Sequence, residues 1–193
     1  MLIRILSCMA LLLCAAPLSA HEAADIAGGF SSGFMHPILG WDHVAAMVAV
    51  GLWGAILKNP ALWILPITFP LVMAVGGALG LAGIPLAGVE VGIAASALVL
   101  GVAVLTALRP ALWLAAIVVG CFAIFHGHAH GSELPQAANP LAYSLGFVIA
   151  TGLLHLAGIA FGLLTKWQLG QALVRAGGAI IAIAGAWFLI QAW

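Results

Sequence analysis

Charge is what this sequence has least of. Five basic and five acidic side chains serve 193 residues, 5% of the chain, where a soluble domain carries about 25%. Hydrophobic residues make up 65%, and a chain this short cannot hide so much apolar surface in one core. The solvent must be lipid. Formal net charge is zero, so neither nucleic acid nor an acidic partner is suggested. Cysteine is also scarce. Of three cysteines, Cys8 and Cys14 fall in the first twenty residues and only Cys121 lies beyond them. Without those twenty residues no internal disulfide can form. Cys121 sits mid-span among Val, Gly and Phe and reads as a small packing residue.

What is present begins with a leader. Arg4 supplies a short basic region, residues 5–16 are apolar, and Pro17-Leu18-Ser19-Ala20 ends in small residues. This is the pattern of a signal peptide cleaved after Ala20. Leu13 before Cys14 is too bulky for a lipoprotein signal. The expected division is thus a signal peptide over 1–20 and a membrane domain over 21–193. Six apolar spans follow, at 34–57, 61–81, 86–108, 111–130, 141–164 and 168–192. Each is near the ~20 residues a bilayer requires. Four of the five joints contain proline, which punctuates helices. Most joints are short, so consecutive helices should be antiparallel neighbours. The fold class expected is an all-α integral membrane protein, a six-transmembrane-helix bundle after a cleaved leader. Pro66 and Pro70 are expected to kink the second span. Gly76 and Gly80, and Gly158 and Gly162, lie one turn apart, which lets membrane helices approach closely.

Lys58, Arg109 and Lys166 fall in the joints after spans one, three and five. By the positive-inside rule those joints face the cytoplasm and residue 21 faces the periplasm. Arg175 lies within two turns of the inner end of span six and can snorkel to the cytoplasmic face.

The chemistry is concentrated in two places. Phe125-His126-Gly127-His128-Ala129-His130-Gly131-Ser132-Glu133 holds three of the seven histidines. On a helix His126, His130 and Glu133 share a face, and His128 lies about 160° away from His130. Two imidazoles one turn apart can grip one metal ion. The second cluster is His36-Pro37-Ile38-Leu39-Gly40-Trp41-Asp42-His43. Pro37 suits the first turn of a helix, with His36 as its cap or just outside. His43 should lie two turns deeper on nearly the same face. Asp42 can ligate a metal or hold an imidazole in its tautomer. An aspartate in a lipid span costs roughly 2.5–3.5 kcal/mol on insertion scales, so a bystander role is disfavoured. Glu90 falls at a similar depth. It reads equally as an interfacial carboxylate near a helix start or as part of the site. His155 is midway through span five, where a path inward would continue. His21 would sit at the new amino terminus, where it reads as a solvated tail or a chelating group.

These two motifs resemble those of the HupE/UreJ family of nickel permeases. His36-Pro37, Gly40 and Asp42-His43 match the first family pattern. Phe125-His126-Gly127, Ala129-His130-Gly131 and Glu133 match the second, with His128 and Ser132 at its variable positions. The leader and six spans agree, so the resemblance covers the whole chain. It implies uptake of nickel, in some members cobalt, from periplasm to cytoplasm across a bacterial inner membrane, beside nickel-requiring hydrogenase or urease. The metal ligands it suggests are His36, Asp42, His43, His126, His130 and Glu133, with Glu90, His155, His128 and His21 further candidates. The ion is cargo, no cofactor is expected, and the chain is read as no enzyme. Partners are a divalent metal ion and the lipid bilayer, with no nucleic acid; a homo-oligomer is left open. Imidazole and carboxylate suit Ni²⁺, Co²⁺ and Zn²⁺. An intramembrane zinc hydrolase is the rival reading, with Asp42 or Glu133 as general base. No nucleotide-binding loop is present, so transport would be passive, secondary or dependent on another subunit.

The loop charges generate a topology test. Asn59→Cys and Ser132→Cys, each in a Cys121→Ala background, should react with an impermeant thiol reagent from opposite sides of the membrane. Reaction of both from outside would reject the orientation.

Overall fold

The structure, a computed structural model, describes residues 29–132, 134 and 139–193. Among these it is all helix: α1 (Phe30–Leu39), α2 (Trp41–Leu57), α3 (Ala61–Leu81), α4 (Val89–Leu105), α5 (Leu112–Ser132), α6 (Pro140–Gly162), a 3-10 turn (Leu163–Lys166) and α7 (Gln168–Gln191). The leader over 1–20, His21 and Glu133 lie outside the described residues. α3, α5, α6 with its 3-10 extension, and α7 are each long and apolar enough to cross a membrane. α1 and α2 pass that test only as a pair, bent by 80°. α4 is apolar but has 17 residues, a rise of about 26 Å against roughly 30 Å of hydrocarbon. The chain is a multi-pass membrane protein.

Two expected spans come out differently. The first, expected to run straight over 34–57, is broken at Gly40, whose backbone is extended (φ −82°, ψ 108°). Pro37 does not open a helix, and His36 does not cap one. Both sit in the last turns of α1, which begins at Phe30. The cause is local: Pro37 removes one helical donor, and glycine three residues on is a weak helix former. The span expected over 86–108 contracts to Val89–Leu105. Gly88 takes a left-handed backbone (φ 70°) just before it, and Ala107 does so (φ 50°) just after. α3, by contrast, stays one helix through Pro66 and Pro70.

α2 is the centre. Met47, Val50, Leu52, Trp53 and Ile56 are all buried, so this helix is apolar and enclosed all round. It packs against α6, α4 and α3, while α3 pairs with α5 and α4 with α7. The outer faces carry Ile67, Leu71, Ile117 and Ile183, all exposed, as lipid contact demands. Cys121 is exposed too, which corrects its reading as a packing residue. It lies one turn from Ile117 on the outward face, whereas Val119 and Ala123 point inward. Trp63, Trp113 and Trp167 are exposed at the starts of α3, α5 and α7. That is the same end as Lys58, Arg109 and Lys166, an interfacial aromatic belt beside the basic residues. At that end Trp53 Nε1 donates to the Leu108 carbonyl at 2.9 Å. The exposed Arg175 donates from Nε to the Leu105 carbonyl at 2.8 Å, closing α4.

Glycines set the helix separations. A Cβ on Gly127 would run into the Met73 carbonyl, and one on Gly76 into the Ile124 carbonyl. Gly51 meets the His155 carbonyl and Gly158 the Val48 carbonyl in the same way. The obstacle is backbone in each case, so no rotamer change relieves it. Gly127→Ala should therefore lose about 1–3 kcal/mol of stability, the usual range for overpacking. Gly152→Ala, with nothing within 4 Å, should lose none. Thermal unfolding of the two variants in detergent checks this, and equal melting temperatures would contradict it.

Candidate metal centre

The bend at Gly40 builds the site. In a straight helix, seven residues separate His36 and His43 by about 10 Å of rise. Across the bend their rings are 5.5 Å apart, edge to face. α5 brings a third imidazole. The His130 ring lies 4.7 Å from that of His36 and 4.8 Å from that of His43. The ligand nitrogens of His36, His43 and His130 all fall within 4.8 Å of one another. His43 and His130 are buried, and His36 is half-buried.

Asp42 and His43 form the first turn of α2. One oxygen, Asp42 Oδ1, accepts from the His43 backbone N–H at 2.9 Å and from His43 Nδ1 at 2.7 Å. A carboxylate that accepts the Nδ1–H bond fixes the proton on Nδ1 and leaves Nε2 bare, the form in which imidazole binds metals. His43 Nε2 faces His130 Nε2 at 2.9 Å. Asp42 is thus a positioning group behind His43. Gly40 is tight against this pair: a Cβ there would lie 3.0 Å from both Asp42 Oδ1 and His43 Nδ1. α6 supplies the wall. The Phe147 ring packs 4.3 Å from that of His130, and the Tyr143 ring lies 6.2 Å from that of His36. A partly open cavity of about 230 Å³ between α3, α5 and α6 reaches His130 past Gly77, Leu134 and Ser144.

The other α5 histidines lie elsewhere. His126, fully buried, is one turn deeper and stacks 5.1 Å from His43. It is outside the three-histidine group. Its Nε2 bonds the Ser96 hydroxyl at 3.0 Å. The Ser96 proton goes to the Ile93 carbonyl at 2.5 Å, so Ser96 accepts and His126 donates. His126 Nδ1 is then bare, and it has no partner. His128 points away, as the helical-face reading expects, and donates from Nε2 to the Ile84 carbonyl at 2.7 Å. That bond ties α5 to the joint between α3 and α4. Glu90 is exposed, in the first turn of α4. His155 is buried in α6, separated from His126 by the Phe69 ring. Sequence reasoning passed over Ser96, Phe69, Tyr143 and Phe147. Ser96 carried a signal, the single hydroxyl within α4; the aromatic residues carried none.

The profile of the family described as HupE / UreJ protein matches residues 9–188. Protein HupE of Rhizobium leguminosarum bv. viciae is 44% identical over 177 residues, covering 91% of this chain and 93% of that protein. No solved structure matches the chain.

The geometry separates four variants by equilibrium Ni²⁺ binding to purified protein. His43→Ala and His130→Ala should remove measurable binding. Asp42→Asn should weaken it about 10- to 100-fold, the usual cost of losing a group that orients a ligand. His128→Ala should bind as wild type and instead lose about 0.5–1.5 kcal/mol of stability with its hydrogen bond. Weak binding by His128→Ala would mean that all three α5 imidazoles converge on one ion.

Proposed function

Because the chain belongs to the HupE/UreJ family, we propose that it is a permease carrying Ni²⁺, or Co²⁺, from the periplasm to the cytoplasm across a bacterial inner membrane. In this reading α1 and α2 make one broken span, and α4 with its flanking loops makes another. The chain then crosses six times with Lys58, Arg109 and Lys166 inside. The observation that carries the proposal is the buried group of His36, His43 and His130, assembled by a break in a membrane helix. Broken helices are where many transporters bind their cargo.

Ligand type supports a nickel-like ion: imidazole suits borderline divalent ions such as Ni²⁺ and Co²⁺. His43 and His130 would exchange for two of the ion's waters. Asp42 keeps the His43 lone pair directed at the ion and supplies a neighbouring negative charge. His36, the most accessible of the three, would meet the ion first, and Glu133 is proposed to act at the same mouth. The set contains no thiolate, so it can hold a divalent ion and still release it, as a conduction site must. The rival reading, a zinc hydrolase, draws no support from the family match.

Purified protein in proteoliposomes should accumulate radioactive nickel, with cobalt competing better than zinc. His43→Ala and His130→Ala should abolish uptake at equal protein. Turnover of a peptide substrate without metal uptake would reject the permease.

A further inference from the structure

Below the three-histidine group the core should be hydrocarbon alone, yet it holds polar groups without partners. His155 is 1% exposed and Thr151 0%. Among the described residues, neither ring nitrogen of His155 nor the Thr151 hydroxyl reaches a partner in hydrogen-bond geometry. They are one turn apart on α6 and share a face. A helical threonine ordinarily returns its hydroxyl to the preceding turn, as Thr106 does to Val102 at 2.8 Å; Thr151 does not. A third polar atom lies beside them. Pro70 has no N–H, so the Pro66 carbonyl of α3 loses its helical donor, and it approaches His155 without completing a hydrogen bond. Buried, unpaired polar atoms in a folded chain need an explanation.

Their position suggests one. Phe147 touches His130, and His155 is eight residues further along α6, about 12 Å deeper. The chain of rings is continuous. His43 meets His126 at 5.1 Å, His126 meets Phe69 at 5.4 Å, and Phe69 meets His155 at 5.5 Å, all edge to face. Phe69 is fully buried and stands between His126 and His155.

We propose that His155, Thr151 and the Pro66 carbonyl form a second, inner coordination station for the transported divalent ion, reached from the outer histidines past Phe69. This deepens the permease reading and rests on it. The donors are one imidazole, one hydroxyl and one carbonyl, all neutral. Such a set replaces part of a hydration shell without trapping the ion, and conduction favours several weak sites over one tight site. The bare Nδ1 of His126 lies on the outer side of Phe69 as the donor between the two stations.

The test separates capture from passage in the full chain. Equilibrium Ni²⁺ binding is measured on purified protein, and initial Ni²⁺ uptake rates are measured in proteoliposomes over a range of concentrations. His155→Ala and Thr151→Val should lower the maximal uptake rate by about tenfold or more, while KM and equilibrium binding stay within about twofold of wild type. His155→Gln restores a hydrogen-bonding side chain of similar size but not a metal-binding imidazole, so it should show the same loss. Wild-type uptake by His155→Gln would overturn the station in favour of a structural role. Loss of binding together with uptake in these variants would overturn it too. Wild-type protein that binds Ni²⁺ and carries none would instead reject the permease reading, and the station with it.

Discussion

Bending the first apolar segment by 80° at Gly40 converts a spacing of about 10 Å along a helix into two imidazoles 5.5 Å apart. The placement of His36, Asp42 and His43 follows from that bend. It opens α2 at Trp41, so Asp42 falls in a first turn, where free N–H groups and the helix dipole favour a carboxylate. The same carboxylate oxygen then holds the ring of His43. An interrupted helix is costly in lipid because its loose backbone groups cannot find water. Here the interruption is enclosed by protein: Pro37, Gly40 and His43 are all buried. Pro37 and Gly40 make the bend accessible, and packing against α6 keeps it out of the hydrocarbon.

The second requirement is depth. A metal site fails if one helix slides by half a turn, and α5 has few polar contacts to fix its height. Backbone contact does it instead. Gly127 sits on the Met73 carbonyl and Gly131 on the Gly77 carbonyl, so α5 is registered against α3 at two successive turns, on either side of His128. α6 is registered against α2 by Gly51 and Gly158. Direct contact between backbones leaves no soft side chain to absorb a shift, which suits a chain whose donors must meet within a few tenths of an ångström.

Much of this was legible in the sequence, and the limits have physical causes. The scarcity of charge gave the membrane class. The proline-marked joints gave most helix boundaries, and the period of the helix correctly sent His128 away from His130. The bend was not legible in advance, because a proline three residues before a glycine reads equally well as the first turn of a straight helix. That ambiguity also hid the group of three. Spacing of four along α5 paired His126 with His130, whereas the imidazoles grouped with His130 come from α1 and α2. Cys121 was misplaced because an all-apolar helix offers no contrast between its inward and lipid-facing sides. Thr151 and Ser96 were passed over because single hydroxyls in membrane helices usually bond their own backbone, and only tertiary structure shows that one bonds His126 and the other bonds nothing.

The histidines sort themselves by what holds the first nitrogen. An imidazole offers a lone pair in a definite direction only if its proton is fixed on the other nitrogen. His43 is fixed by a carboxylate, His126 by the Ser96 hydroxyl and His128 by a carbonyl. The three anchors differ in electrostatics. The carboxylate places a negative charge directly behind the His43 ring, which in the proposed permease suits the residue that captures the ion. The hydroxyl, whose own proton is committed to Ile93, holds His126 with a neutral group one turn deeper. The carbonyl that anchors His128 belongs to the joint between α3 and α4, so this imidazole serves to hold a loop in place. The gradient from a charged anchor to a neutral one runs inward from the mouth. In the proposed permease, an ion drawn in by the charged anchor would next meet a ring held by a neutral one, and that order favours moving on over staying.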